Sequence, residues 1–137
     1  MSKRDPLLKG TMAVLFLLSR TVAFGAMDVP ARTVEIVADK DNRFRLADGS
    51  LGPLTLKAGE VVKFRVTSRF GGDKARDGAV HSFVVRKLRD KGWSVRLMEG
   101  VQEFTLTAPG PGNYLIECTV DCGPGHDDMH MKMVVMK

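Results

Sequence analysis

Four soft or borderline metal donors fall within twelve residues: Cys118-Thr-Val-Asp-Cys122-Gly-Pro-Gly-His126-Asp-Asp-Met129. A further imidazole, His81, stands upstream at the head of His81-Ser82-Phe83. Thiolate plus imidazole is the donor set that holds copper, and a weak axial thioether marks electron-transfer copper. One thiolate suffices for a mononuclear blue site, so the second points to a pair of coppers bridged by sulfur. Each thiolate could bridge both ions, letting one electron be shared between them and spreading the bond-length change over two metals. Both sulfurs must be deprotonated for this, and a bound cation enforces that.

Such donors need rigid elements to hold them, and the sequence supplies strands. Thr33–Ala38 and Glu60–Thr67 alternate apolar and polar residues and are rich in β-branched side chains. Further strands are expected at His81–Leu88, Trp93–Met98, Val101–Ala108, Asn113–Cys118 and His130–Lys137. Turn signals separate them: Ala47-Asp48-Gly49, Lys57-Ala58-Gly59, Glu99-Gly100 and Pro109-Gly110-Pro111-Gly112. No segment after residue 30 carries a long helical period. Seven or so short strands with Gly/Pro punctuation predict an all-β fold, a Greek-key sandwich or barrel. A strand ending at Cys118 and a tight loop through Gly123-Pro124-Gly125 can gather four donors around one small volume, with His81 arriving from a neighbouring strand. The Gly-rich, charged stretch Ser68–Val80 reads as an exposed, mobile loop leading into His81.

At 137 residues the chain can bury one core without disulfides. The formal charge is +5. Residues 1–26 hold Lys3, Arg4, Lys9 and Arg20 against Asp5, leaving only +2 for the rest. With no long basic run, and a lone Trp and Tyr not interleaved with one, nucleic-acid binding is not expected. A positive start, an apolar run from Met12 to Leu18 and small residues at Ala23, Gly25 and Ala26 follow the plan of a secretory signal. Residues 1–26 are therefore assigned as the signal segment and 27–137 as the copper-binding domain. The rival is a membrane anchor, but Ser19 and Arg20 interrupt the apolar stretch, which falls short of a clean span. Either way the folded part is expected outside the cytoplasm, periplasmic in a bacterium, and meets a membrane only if the segment is uncleaved.

Each feature has a plainer reading. Two cysteines in an exported protein are by default a disulfide, though one across four residues closes a tiny loop and stabilises little. A lone histidine is usually structural or solvated. Met131 and Met133 share one strand face and are expected in the core, where methionine is adaptable filler; with His130 and Met136 they otherwise suggest a second copper site. The Asp127-Asp128 pair reads as a solvated surface, and Trp93 as core.

The order of these pieces resembles the cupredoxin family. Leu54–Val62 is similar to its early strand, turn and strand, and Gly112-Asn113-Tyr114 before Cys118 to its tyrosine-marked strand leading into the ligand loop. The resemblance spans roughly residues 33–137. Within the family, Cys-x3-Cys-x3-His-x2-Met after an upstream His is the pattern of the binuclear copper-A (CuA) centre of cytochrome c oxidase subunit II and nitrous oxide reductase. The resemblance implies His81, Cys118, Cys122, His126 and Met129 as ligands, with the backbone carbonyl of Val120. Two coppers are implied, one being possible. Departures bear on function: subunit II typically has a Glu where this chain has Val120, its aromatic cluster is not recognisable around Asp39–Arg45, and its two transmembrane helices are not seen. The large catalytic domain of nitrous oxide reductase is missing too.

Three function classes follow: an extracytoplasmic one-electron carrier, the copper-A portion of a reduced oxidase subunit II, or a protein that buffers, delivers or detoxifies copper. A mononuclear site of Cys122, His126, Met129 and His81 is a variant of the first. Thioredoxin-like copper chaperones also use Cys-x3-Cys plus a His, but their His lies downstream among alternating strands and helices. The resemblance implies redox partners such as a c-type cytochrome or an oxidase. An enzyme is not expected, since no open coordination position or acid–base pair is evident.

Overall fold

Alternation turns this sequence into sheet. Along Val61–Ser68, Val62, Phe64, Val66 and Ser68 are buried, whereas Val61, Lys63, Arg65 and Thr67 lie on the other face. The same rule buries Val34, Ile36 and Ala38 of Arg32–Ala38, and Met131, Met133 and Val135 of His130–Met136. The computed structural model describes residues 29–30 and 32–137. The expected signal segment, residues 1–26, lies outside the described residues.

Nine strands follow in order: β1 (Arg32–Ala38), β2 (Phe44–Leu46), β3 (Leu54–Lys57), β4 (Val61–Ser68), β5 (His81–Val84), β6 (Ser94–Leu97), β7 (Gly100–Thr107), β8 (Gly112–Glu117) and β9 (His130–Met136). One sheet has the order β2-β1-β4-β7, the other β3-β9-β8-β5-β6. Each is mixed, since β1 runs parallel to β4 and β3 parallel to β9. The chain passes repeatedly from one sheet to the other, so the all-β Greek-key sandwich expected from the sequence is what forms. Between the sheets, Phe83 packs against Phe64, Phe104, Phe44 and Trp93, with ring centroids 5.2 to 6.3 Å apart. Burying a ring of this size stabilises the fold by about 2 kcal/mol. Trp93 is core, as expected, and its indole N–H donates to the Thr107 carbonyl at 3.0 Å.

Two departures from the expected elements have physical causes. The strand expected over His81–Leu88 ends at Val84, and Arg86–Lys91 winds into a 3-10 helix closed by Gly92 at φ 88°. That reversal lets Val85 N–H reach the Trp93 carbonyl and seats the indole in the core. The short β2 was not expected, because Asp39–Arg45 looks charged and irregular; Phe44 carries it inward, with Leu46 packed against the core beside it.

Register decides where the site can be. Ala38 pairs with Ser68 and Ser68 with Gly100 in one sheet, while His81 pairs with Leu97 and Glu117 with His130 in the other. The loops 39–43, 69–80, 98–99 and 118–129 therefore emerge at one end. Val84 faces Glu117 across β5 and β8, so His81 reaches past the end of β8 toward residues 118–120. Among the described residues no helix is long and apolar enough to cross a membrane.

At the opposite end, Glu60 ties the strands together, accepting from Arg32 Nη2 at 3.0 Å and Lys57 N at 2.8 Å. The Arg32 guanidinium holds its carboxyl below the ordinary 4.5, against the opposing effect of burial. A depressed folded-state value contributes stability above 4.5 that is lost as pH falls through that lower value. Glu60→Gln should thus cost about 1 kcal/mol at pH 7, with the gap to wild type closing in acid. Urea midpoints across the pH range check this; a gap unchanged from neutral to acid would remove the ionic contribution.

Candidate metal centre

Two kinds of element carry the donors. His81 opens β5, a strand buried along its whole length, and Cys118 follows the last residue of β8. Cys122, His126 and Met129 lie on the loop that returns to β9, with His126–Asp128 forming a single 3-10 turn. The loop is closed on itself. Cys118 N–H donates to the Met129 carbonyl at 3.1 Å, Met129 N–H to His126 at 2.9 Å, and His126 N–H to Gly123 at 3.1 Å. Ser82 and Thr119, each one residue beyond a donor, latch strand to loop. Thr119 N–H donates to Ser82 Oγ at 2.7 Å, and the two hydroxyls lie 2.9 Å apart.

All six residues singled out from the sequence come together. Cys122 Sγ is the hub: it lies 3.8 Å from Cys118 Sγ, 3.3 Å from His126 Nδ1 and 3.7 Å from Met129 Sδ. The Val120 carbonyl is 3.2 Å from Cys118 Sγ. Donor atoms of His81, Cys118 and Cys122 all lie within 4.8 Å of one another. His81 and Cys122 are wholly buried, and Met129, Val120 and Cys118 nearly so. His126 is half-buried, in a polar depression lined by Thr119, Asp121, Pro124 and Asp127. Both cysteines are free thiols, not the disulfide that an exported pair would suggest.

Electrostatics prepare the group for a cation. The His81 Nε2–H donates to the Arg69 carbonyl at 2.6 Å, which leaves Nδ1 buried without a partner among the described residues. A buried unpaired ring nitrogen costs free energy unless something fills it. Contact with Cys122 draws the Cys118 thiol well below its ordinary value, against the opposing effect of burial. The same contact pushes Cys122 up, helped by burial and the Cys118 charge. The pair thus gives up its first proton readily and keeps its second until a cation replaces it.

The residues left out of the expected set fall elsewhere. His130 is exposed at the start of β9, while Met131 and Met133 are core. Asp127 and Asp128 are exposed, and Asp128 lies 3.4 Å from Arg43. The stretch Ser68–Val80 is a wall of the site as well as a surface loop. Arg69 orients His81, Asp73 N–H donates to the Cys122 carbonyl at 3.2 Å, and Ala79 and Val80 are buried. Nothing in the local pattern hinted at Asn42 and Arg43, whose side chains reach the Pro124 and Gly125 carbonyls at 2.7 and 2.9 Å. Ser82 and Thr119 could have been found by their adjacency to His81 and Cys118.

Gly123 shows how closely wall and ligand loop approach. A Cβ there would lie 2.7 Å from the Gly71 carbonyl oxygen, on a backbone at φ 110°. Gly123→Ala should destabilise the protein by about 3 kcal/mol. Gly49→Ala, at φ 82° but with nothing within 4 Å, should cost about 1 kcal/mol. Chemical denaturation of the two variants checks the comparison; equal losses would mean that the approach of the two loops is slack.

No protein-family model matches the sequence, and no curated protein matches it. Solved structures do. A chain of a heme-copper terminal oxidase dimer aligns with TM-score 0.59 and 21% identity, over 99% of this chain and 76% of that one. The periplasmic domain of subunit II of cytochrome oxidase from Bradyrhizobium japonicum gives 0.54 and 15%, over 80% and 86%. Auracyanin B gives 0.53 and 21%, over 82% and 94%. What is shared at these identities is the fold, and that fold is the cupredoxin sandwich.

Proposed function

We propose that this chain is an extracytoplasmic one-electron carrier holding copper between His81, Cys118, the Val120 carbonyl, Cys122, His126 and Met129. The observation that carries the reading is the meeting of two thiol sulfurs 3.8 Å apart with a thioether and an imidazole on the same sulfur. The buried, unpartnered His81 Nδ1 fits a cation there, and the donor types select copper. Two sulfurs 3.8 Å apart, one contacted by the Val120 carbonyl and the other by His126 and Met129, favour two ions over one. Copper, when bound, supplies a one-electron couple. Everything else falls to the chain. His81 is fixed by the Arg69 carbonyl and the two cysteines by Ser82, Thr119 and Asp73, so the donors keep their places in either oxidation state.

Burial argues for a carrier over an enzyme. His81 and Cys122 have no solvent exposure, which leaves a substrate no approach; only the His126 edge meets the surface. An electron needs no more than that. A redox protein such as a c-type cytochrome or an oxidase is the matching partner, and the resemblance of fold to the periplasmic subunit II domain suits an extracytoplasmic site of action. The buried Met131 and Met133 weaken the copper-storage reading by removing its methionine-rich second site.

Loaded with copper and freed of excess, the protein should hold two ions per chain, with one unpaired electron split by both nuclei in its electron paramagnetic resonance spectrum. Cys118→Ser should lose that pattern and at least one ion, while His130→Ala should keep both. A single copper with a one-nucleus pattern in wild type would replace the binuclear reading by a mononuclear one. Unchanged copper and spectrum in Cys118→Ser would sink the ligand set.

A further inference from the structure

We infer that Asn42 is a positioning residue of this centre, its one carboxamide clamping the loop that carries Cys122 and His126 to the loop that orients His81; the inference deepens the copper reading and rests on it for its metal readout. Asn42 is fully buried, although it lies in a charged turn between β1 and β2. Its backbone sits at φ 57°, a left-handed conformation that Asn tolerates better than most residues. Both hydrogens of Nδ2 are spent across the fold: one on the Gly71 carbonyl at 3.0 Å, the other on the Pro124 carbonyl at 2.7 Å. These acceptors lie 29 and 82 residues away along the chain.

What each acceptor governs makes this more than local packing. Pro124 is midway between Cys122 and His126. Gly71 is two residues from Arg69, whose carbonyl takes the His81 Nε2–H, and two from Asp73, whose N–H holds the Cys122 carbonyl. One amide group therefore links the carriers of both imidazoles. The fit leaves no slack, because a Cβ on Gly71 would run into the Asn42 side chain. Oδ1 is buried and has no partner among the described residues. A buried polar side chain kept with half its capacity unused argues that the two donated bonds are what the position requires. Arg43 extends the grip: its Nη1 donates to the Gly125 carbonyl at 2.9 Å and to the Asn42 carbonyl at 3.0 Å.

Asn42→Asp tests this with little change of shape, putting acceptors where two donors were; Asn42→Gly keeps the left-handed backbone and deletes the clamp. In the metal-free full chain, amide hydrogen exchange should accelerate in both variants by about tenfold or more at Asp73 and at His126 together, with β4 and β5 amides unchanged. In copper-loaded protein, both variants should release metal to a chelator about tenfold faster or more and show shifted copper hyperfine splitting. Exchange unchanged at either loop, or accelerated everywhere alike, would overturn the clamp. The exchange arm needs no copper, so failure of the clamp and failure of the copper reading give different results.

Discussion

Everything at the functional end of this molecule turns on holding two cysteine sulfurs 3.8 Å apart in a buried volume. Thiols do not seek each other out: one ionised sulfur raises the cost of ionising the next, and the pair resists a second charge unless a cation is bound. The separation must be imposed by the backbone. It is imposed by a loop whose amides are satisfied internally, through Cys118 to Met129, His126 to Gly123 and Asp128 to Gly125. Buried peptide groups left unpaired would cost more than such a loop could bear. Gly125 at φ 88° and Gly123 at φ 110° give the chain the backbone angles that this closure demands.

A loop so closed still needs a foundation, and the sandwich provides it asymmetrically. His81 and Cys118 stand on or beside strands, where Phe83 and Ile116, each two residues away, are fully buried. Moving either donor would mean moving a core strand. Cys122, His126 and Met129 depend instead on neighbouring loops: Asp73 from one side, Asn42 and Arg43 from the other. On the proposed reading the division is useful, since donors that do not shift between oxidation states keep reorganisation small. The same division makes the loop-borne donors the more sensitive to substitutions distant in sequence.

The sequence made the candidate donors and the fold class legible because both are written in residue type and short-range period. Cys-x3-Cys-x3-His-x2-Met survives any register error, and the alternation of Val61–Ser68 is that of the strand it forms. What escaped was written in long-range geometry. The apolar run after His81 continues through Val84 and Val85, so a strand to Leu88 was the natural expectation; only the need to seat Trp93 explains the 3-10 turn. Ser68–Val80 has a loop's composition, and its partners lie on a segment some 50 residues further on. Asn42 sits among Asp39, Lys40, Asp41 and Arg43, where nothing in the local pattern separates a buried clamp from a solvated turn residue.

Exposure then decides how the buried group meets the outside. Its donors form a gradient, from His81 and Cys122 with none, through Met129, Val120 and Cys118 with a few per cent, to the half-buried His126. The rim around that last ring carries Asp121 and Asp127, and Asp128 is partly offset by Arg43. The chain as a whole has a formal charge of +5, so its overall sign is opposite to that of the ligand loop. With a screening length of about 8 Å at physiological salt, an approaching protein responds to the charges at this end: the carboxylates of the ligand loop, and Lys40, Arg43, Arg69, Lys74 and Arg76 of the loops that emerge beside it. On the proposed reading, the short segment that sets the donor geometry also supplies part of the surface around His126 that a redox partner would meet.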